Sequence, residues 1–241
     1  MTWMFDARGN DGAVGGDARR VANKSKPAAT GHHSELLTAS EAVGDLVPVR
    51  TAVISVSDKS GLEQLGVGLS KYSVHAIATE GSADYLRSVA KGLKLTGLSE
   101  YTRFPENLNG RLKTLHPKLQ AGVLAIKKFH DTALEKIDAQ YIDLVVVNLY
   151  PFEKTVRSGA SAAECIENID IGGPALLRAG AKNHPSVCVI SDVNDYSALL
   201  GELNRNKGST SLAFRRRCAQ KVFELTSKYD ASIAAWFQSN Q

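Results

Sequence analysis

Short apolar runs alternate with helical patterns along most of the chain. Six of these runs have the length of strands, and several are rich in β-branched residues and apolar throughout, as in strands buried on both faces of a sheet. Helical patterns between the runs indicate connections by helices, which is typical of a parallel sheet covered on both sides. The pattern therefore predicts an α/β fold. The predicted strands are Thr51–Ser57, Ser73–Ala78, Leu93–Leu95, Leu119–Ile126, Ile142–Tyr150 and Val187–Ile190.

The predicted helices lie between and after these runs. The first places Leu62, Leu65 and Leu69 on one face, which is the spacing of an amphipathic helix. The second has Ser82 as its N-cap and runs to about Ala90. The remaining predicted helices cover residues 161–168 and 173–181, and two long helices close the chain.

Residues 1–48 differ from everything that follows. They are rich in Gly, Ala, Asp, Ser and Thr and show little periodic hydrophobicity, so they predict a disordered extension before a single domain at residues 49–241. The extension lacks the apolar stretch of a secretory signal. Asp6, Asp11 and Asp17 fall where organelle transit peptides avoid acidic residues.

Composition and charge exclude several classes of protein. The net charge of +4 over 241 residues is mild, and basic residues are not interleaved with aromatic ones, so nucleic-acid binding is not indicated. The basic run Arg215–Arg217 is interpreted as a solvated helix face. Three widely separated cysteines predict neither a disulfide framework nor a metal site, and they fit a reducing, cytoplasmic setting. No apolar run is long enough to span a membrane.

One stretch, Gly110–Pro117, concentrates polar chemistry within the segment 99–117, which has no helical or strand periodicity. Arg111 and Lys113 lie two residues apart, so in an extended segment both side chains point the same way. A guanidinium beside an ammonium suits an anionic, planar ligand. A long irregular segment in a compact domain usually carries function. A solvated basic turn is the alternative interpretation.

Polar residues also follow several predicted strands. In open parallel sheets, ligands bind outside the carboxyl ends of the strands. Ser57 and Lys59 follow the first strand, where hydroxyls and free amides before a helix can hold a phosphate. Thr79 and Asn148 end two other strands. Each of these features alone is also consistent with an ordinary capped helix or strand end.

The segment Ile169–Pro174 is less usual. Asp170 precedes two glycines and a proline at the start of a predicted helix, which leaves exposed backbone N–H groups beside a carboxylate. Lys182 stands at the other end of this helix, and both residues are candidates for contact with a ligand laid along it. Lys182 could instead serve only to compensate the helix dipole.

Taken together, these motifs resemble the IMP cyclohydrolase family, the N-terminal part of a bifunctional purine-biosynthesis protein. The resemblance covers about Arg50 to Phe237. It rests on motifs that occur in the family's order: Ser55–Gly61, Phe104–Glu106, Gly110–Pro117, Asn148–Phe152, Ile169–Ala179 and Ala181–His184.

The resemblance implies a methylglyoxal-synthase-like three-layer fold with a mainly parallel sheet. It also implies an activity, the ring closure of 5-formamidoimidazole-4-carboxamide ribotide to IMP with loss of water. No metal or organic cofactor is implied. A homodimer is expected, and a separate transformylase is expected to supply the substrate.

Residue roles follow from the resemblance by position. Lys182 is expected to transfer protons, with its pKa lowered by Lys113, while Tyr150 polarises the reacting group and Asp170 flanks the formyl oxygen. The remaining residues are expected to bind substrate: Ser57, Asp58, Lys59, Thr79 and Gly81 at the phosphate and ribose, Arg111 and Thr114 at the nucleotide and carboxamide, Asn148 at the base, and Ile171 and Gly172 beside the formyl group.

The chain departs from the family pattern at two positions. Glu80 stands where a glycine normally approaches the phosphate, and Arg103 replaces a glycine before Phe104. A carboxylate about 4 Å from a phosphate costs several kcal/mol, so Glu80 must point outward or pair with a cation such as Lys59. Otherwise Glu80 raises KM, and Glu80→Gly would lower KM by about tenfold or more.

Two other functions are compatible with the same fold. A non-catalytic nucleotide-binding module would tolerate Glu80, but mere binding does not require the full set Lys113, Tyr150, Asp170 and Lys182. Methylglyoxal synthase shares the fold, but the signatures at residues 110–117 and 170–174 belong to the cyclohydrolase.

Overall fold

A computed structural model describes residues 43–240 of the chain, with seven strands and ten α-helices in that range. The strands are β1 (Leu46–Pro48), β2 (Thr51–Ser55), β3 (His75–Ala78), β4 (Lys94–Gly97), β5 (Leu144–Val147), β6 (Cys188–Ile190) and β7 (Ser209–Ser211). The helices are α1 (Leu62–Ser70), α2 (Glu80–Val89), α3 (Leu98–Thr102), α4 (Pro117–Leu124), α5 (Asp131–Glu135), α6 (Phe152–Arg157), α7 (Ala162–Glu167), α8 (Gly172–Lys182), α9 (Tyr196–Arg205) and α10 (Leu212–Ser239).

Five strands form one parallel sheet in the order β4-β3-β2-β5-β6. Successive strand residues face opposite sides. Ile54 and Val146 enter a core with α1, α2 and α9, whereas Val53 and Val145 enter a second core with α4 and α8. This three-layer arrangement confirms the predicted α/β fold.

The chain path creates a crevice at one edge of the sheet. From β2 the chain adds β3 and then β4 on one side, and later adds β5 and β6 on the other side of β2. The loops after β2 and β5 therefore diverge, which is the arrangement that opens a ligand site at the carboxyl ends of the strands.

The folded part begins earlier than the predicted boundary at residue 49. β1 pairs antiparallel with β7, with Val47 opposite Thr210, and Val47 is only 3% exposed. The Val49 amide donates to the Gly208 carbonyl at 2.9 Å. Residues 46–48 therefore belong to the domain, while residues 1–42 of the predicted extension lie outside the described residues.

Two predictions of local structure were wrong. The run Leu119–Ile126 is not a strand, because α4 covers Pro117–Leu124. Its signals are the proline at the first helical turn and the His116 ring, which accepts a hydrogen bond from the Lys118 amide at 3.2 Å. The segment 99–117 is also less irregular than predicted, since α3 and a short 3₁₀ helix at Leu108–Gly110 lie within it.

Arg215 does not lie on a solvated helix face. Its side chain is 1% exposed, while the neighbouring Arg216 and Arg217 are exposed as predicted. The Arg215 guanidinium donates to the backbone carbonyls of His184, Pro185, Thr210 and Asp45. One buried cation thus joins the segment after α8, the strand β7 and the chain just before β1.

α10 continues past the sheet into a third apolar cluster. Phe152 and Tyr229 pack there edge to face at 6.3 Å, and Phe152 meets Trp236 at 6.0 Å. This cluster supports α6 and α7, and α7 borders the crevice with Ile166 and Glu167. None of the helices within residues 43–240 combines the length and the apolar character that crossing a bilayer requires.

Candidate active site

A cavity of about 510 Å³ opens at the carboxyl ends of β2, β3 and β5, where the chain path predicts a ligand site. The segment 103–116 and the start of α8 form its other walls. Twelve of the predicted site residues line it: Ser57, Lys59, Thr79, Gly81, Arg111, Lys113, Thr114, Asn148, Tyr150, Asp170, Ile171 and Gly172.

Two predicted site residues do not line this cavity. Lys182 is exposed at the C-terminus of α8, ten residues after Gly172 and thus about 15 Å along the helix axis. Its predicted position beside Lys113 is therefore wrong within the single chain. Asp58 turns its carboxylate to the Ser60 amide at 2.9 Å, so it shapes the loop after β2.

Asn148 holds that same loop in place. Its Oδ1 accepts hydrogen bonds from the Ser57 amide at 2.7 Å, the Ser57 hydroxyl at 2.8 Å and the Asp58 amide at 3.1 Å. Its Nδ2 donates to the Asp58 carbonyl at 2.8 Å. These bonds join the ends of β2 and β5, so Asn148 positions the loop after β2, while its expected bond to a base stays a prediction.

The turn after β3 opens α2 toward the cavity. Thr79 is the N-cap residue, in place of the predicted Ser82. Ser82 is buried, and its hydroxyl accepts from the Val56 amide at 3.1 Å, which ties α2 to the loop after β2. The first turn of α2 and the loop after β2 therefore present hydroxyls, Lys59 and backbone N–H groups to one side of the cavity.

The side chain of Glu80 points away from this group of hydroxyls and N–H donors, which we call the phosphate cradle, and it does not pair with Lys59. Its carboxylate accepts hydrogen bonds from the Ser99 hydroxyl and, at 3.2 Å, from the Ser99 amide. Although burial opposes it, these bonds lower the pKa of Glu80, with help from the Lys113 charge. Glu80 is the first residue of α2 and has no positive φ, so its backbone needs no glycine.

Glu80 is therefore not expected to weaken phosphate binding. We predict that Glu80→Gln changes KM for a phosphorylated substrate by less than about threefold, because the carboxylate is directed away from the anion and partly screened. Steady-state kinetics on the variant measure this. A tenfold fall in KM would show that Glu80 does face the phosphate.

Arg103 explains why a glycine is usual at its position. It adopts φ 55° and ψ 28° at the C-terminus of α3, in the left-handed region that side chains disfavour. Its guanidinium lies 3.2 Å from Asp138. This second departure from the family pattern therefore strains the backbone locally, and Arg103 does not line the cavity.

Lys113 is held by a carboxylate that the sequence-based reasoning did not assign. Its Nζ lies 2.7 Å from Glu106, and both side chains are about one-third exposed. Partial burial would lower the pKa of Lys113, but the hydrogen bond and charge of Glu106, followed by Tyr150 and Glu80, raise it. Gly110 adopts φ 88°, a conformation that side chains disfavour, so this position of the segment favours glycine.

Arg111 forms an ion pair across the mouth of the cavity. Its Nε lies 3.3 Å from Glu167 Oε1, and its second nitrogen contacts Oε2. The hydrogen bonds raise the pKa of Arg111 and lower the pKa of Glu167. The pair connects the segment 103–116 with the last residue of α7.

Asp170 is the carboxylate that lies deepest in the site. Burial raises its pKa, an effect partly offset by the backbone N–H groups of Gly173 and Tyr150. The Gly173 amide donates to Oδ1 at 2.8 Å, and the Asp170 amide donates to the Tyr229 hydroxyl at 2.8 Å. A Cβ at Gly173 would lie 2.4 Å from Oδ2, so the second glycine makes room for this carboxylate.

Gly172 allows the start of α8 to approach the wall formed by segment 103–116. A Cβ there would lie 2.2 Å from the hydroxyl of Thr114, which is itself buried. The N-terminus of α8, the Asp170 carboxylate and the Lys113 ammonium thus border the same cavity. Such a combination of a proton acceptor, a cation and helix N–H groups suits a reaction with a developing oxyanion.

Sequence reasoning missed Ser82, Glu106, Gly173 and Glu167 as parts of the site. Glu106 lay within the quoted family motif, and Gly173 lay beside Gly172, so position could have suggested both. Glu167 had no signal, because it belongs to an otherwise ordinary helix. Among residues 43–240, no cluster of His, Cys, Asp or Glu side chains has the arrangement of a metal site.

Comparison with known proteins gives two family matches. Residues 61–175 match the MGS-like domain, and residues 180–241 match the family described as the AICARFT/IMPCHase bienzyme. The crystal structure of a protein named ForH is also similar. It has a TM-score of 0.66 and 33% sequence identity, and the match covers 78% of this chain and 99% of ForH.

Curated relatives carry the name bifunctional purine biosynthesis protein PurH. Those of Dinoroseobacter shibae and Ruegeria pomeroyi are 50% identical over 194 residues, or 80% of this chain. That of Bradyrhizobium diazoefficiens is 50% identical over 191 residues, or 78% of this chain. In all three cases the match spans only 36% of the relative's own length.

Proposed function

The chain belongs to the IMP cyclohydrolase family and has its MGS-like fold, and from this premise we propose that it closes the ring of 5-formamidoimidazole-4-carboxamide ribotide to IMP. In this reaction the carboxamide nitrogen attacks the formyl carbon and loses a proton. The resulting tetrahedral intermediate carries its charge on the former formyl oxygen. This oxygen takes up two protons and leaves as water, while the formamido nitrogen gives up its own proton as the C=N bond of the new ring forms.

The observation that carries this proposal is the juxtaposition of Lys113 and Asp170 in one cavity that also holds a phosphate cradle. The side formed by Ser57, Lys59 and the first turn of α2 suits the 5′-phosphate. Within residues 43–240, Lys59 is the cavity cation that makes no ion pair, so its charge is available to an anion. The base would then lie toward Asp170 and Tyr150.

We assign the proton acceptor to Asp170. A carboxylate whose pKa is raised by burial is a stronger base than an exposed one, and the carboxamide N–H must be removed as the nitrogen attacks. Lys113, kept as an ammonium by Glu106, would donate to the oxyanion together with the Gly172 amide. Lys113 is also suited to protonate the departing oxygen.

A turnover assay tests the proposal. The full chain is incubated with the formylated ribotide, and IMP is detected by its ultraviolet absorbance and by chromatography. Binding without IMP formation would favour a non-catalytic nucleotide-binding module. The feature that had favoured such a module, Glu80 against the phosphate, is not supported by the orientation of its carboxylate toward Ser99.

The formylated substrate would come from a transformylase, the second activity in the description of the matched bienzyme family. We also propose that the chain forms a homodimer. Support comes from α10, on which Phe223 and Phe237 are 43% and 47% exposed. Exposed apolar surface of this kind is typical of a face that binds another protein. Sedimentation velocity at micromolar concentration measures this, and a monomer would contradict it.

A further inference from the structure

We propose that Glu167 makes the cavity selective for a ligand whose second polar end is a neutral amide, and that it excludes a carboxylate at that end. The inference rests on the proposed function, because it takes a phosphate as the first end. It assigns a specificity role to a residue outside the family motifs that point to the site.

The first step is the contact itself. Glu167 faces the cavity from the end of α7 and binds two nitrogens of Arg111, which faces it from the segment 103–116. The two side chains are 51% and 66% exposed, so the pair lies at the solvent side of the cavity, where a ligand enters. A guanidinium held in this way has little charge left for a carboxylate.

The second step is the distribution of charge around the cavity. Its ionisable lining residues, apart from Tyr150, are Lys59, Arg111, Lys113, Glu167 and Asp170. The positive charge of Arg111 is compensated by its ion pair with Glu167, and that of Lys113 by its ion pair with Glu106. Asp170 adds a carboxylate. Only the side at Lys59 has an unpaired cation within the described residues, so the cavity is positive at one side and neutral to acidic at the other.

A ligand with one phosphate and one neutral amide matches this asymmetry. The amide can donate an N–H to a carboxylate and accept from the guanidinium, whereas a carboxylate can only accept and would be repelled by Glu167 and Asp170. Without Glu167, Arg111 would offer a free fork that pairs well with a carboxylate. The acidic partner therefore converts an arginine that favours carboxylates into one that tolerates an amide.

The test compares two ribotides that cannot close the ring, 5-aminoimidazole-4-carboxamide ribotide and its 4-carboxylate counterpart. Isothermal titration of the full chain should show the carboxamide binding at least tenfold more tightly. In Glu167→Gln, Arg111 becomes available to an anion, so the 4-carboxylate ribotide should bind about threefold to tenfold more tightly than it binds the wild type. The ratio of the carboxamide affinity to the carboxylate affinity should therefore fall. Glu167→Asp keeps the charge and should keep most of the discrimination.

Glu153→Gln is the matched control. Glu153 forms a comparable exposed pair with Arg157 at 3.0 Å, but it does not line the cavity, so the same change of charge should leave the ratio unaltered. Thermal melts establish that the variants fold. If the wild-type chain binds the carboxamide and Glu167→Gln leaves the ratio unchanged, the inference is wrong and the proposed function stands. If neither ribotide binds the wild-type chain, both are wrong.

Discussion

Replacing Asp170 by Asn is expected to lower kcat for IMP formation by about 10²- to 10⁴-fold, the range typical for the loss of a general acid–base residue. KM should change little, because the phosphate cradle at Lys59 and α2 is untouched. Asn has nearly the same size, and its side-chain oxygen can still accept from the Gly173 amide. Steady-state kinetics on the full chain measure both constants.

Asp192→Asn provides the matched control for this substitution. Asp192 follows β6 and, like Asp170, accepts a hydrogen bond from a nearby backbone amide, that of Asn194 at 2.9 Å, but it does not line the cavity. Its replacement should leave kcat within about twofold, as expected for a surface position remote from the chemistry. Equal losses in both variants would contradict the assignment of Asp170.

The stability of the Asp170→Asn variant distinguishes a loss of catalysis from a loss of folding. The pKa of Asp170 is raised in the folded state, so its protonated form is favoured there. Wild-type stability is therefore reduced as the pH rises from the ordinary value of 3.8 through the raised pKa. At pH 7.5 the Asn variant, which has no charge to bury, should be at least as stable as the wild type, and the difference should shrink below pH 4.

The strands that are buried on both faces of the sheet were predictable from the sequence. β2, β5 and β6 are apolar on both faces, so their runs stand out without any knowledge of their neighbours. β1 and β7 have three residues each and owe their structure to each other across the chain, which no local pattern reveals. α4 was predicted as a strand because a short apolar run is compatible with the periodicity of a strand or of a helix. The hydrogen bond from the Lys118 amide to the His116 ring, at the start of α4, favours the helix.

The cavity was predictable to the extent that it depends on strand ends. The carboxyl ends of parallel strands meet, so residues after β2, β3 and β5 had to lie together. Side-chain partners were not predictable in the same way. Glu80 turns to Ser99 and Arg111 to Glu167, and both choices depend on packing between separate segments of the chain. Lys113 turns to Glu106 within the segment 103–116, a choice that depends on how this segment folds. Lys182 lies at the other end of α8 from Gly172 within the single chain, and the length of this helix was already given by the numbering.

Arg215 was misinterpreted because it belongs to a run of three arginines, of which only two are exposed. We predict that Arg215→Met destabilises the folded state by about 3–5 kcal/mol, because several carbonyl oxygens lose their donor at a cost of about 1–3 kcal/mol for each that stays buried and unpaired. The substitution leaves carbonyl oxygens of His184, Pro185 and Thr210 without the guanidinium donor they share. Methionine fills a similar volume, so the loss reflects hydrogen bonding more than packing.

Chemical denaturation and thermal melting measure this effect, and for a domain of this size the melting temperature should fall by roughly 10 °C. Arg216→Met, at the exposed neighbouring position, removes the same charge and should change stability by less than about 0.5 kcal/mol. Arg215→Lys should recover only part of the loss, because an ammonium cannot reach acceptors in three directions with the planar fork of a guanidinium. If Arg215→Met has the same melting temperature as the wild type, the guanidinium does not stabilise the contact between β7, the chain before β1 and the segment after α8.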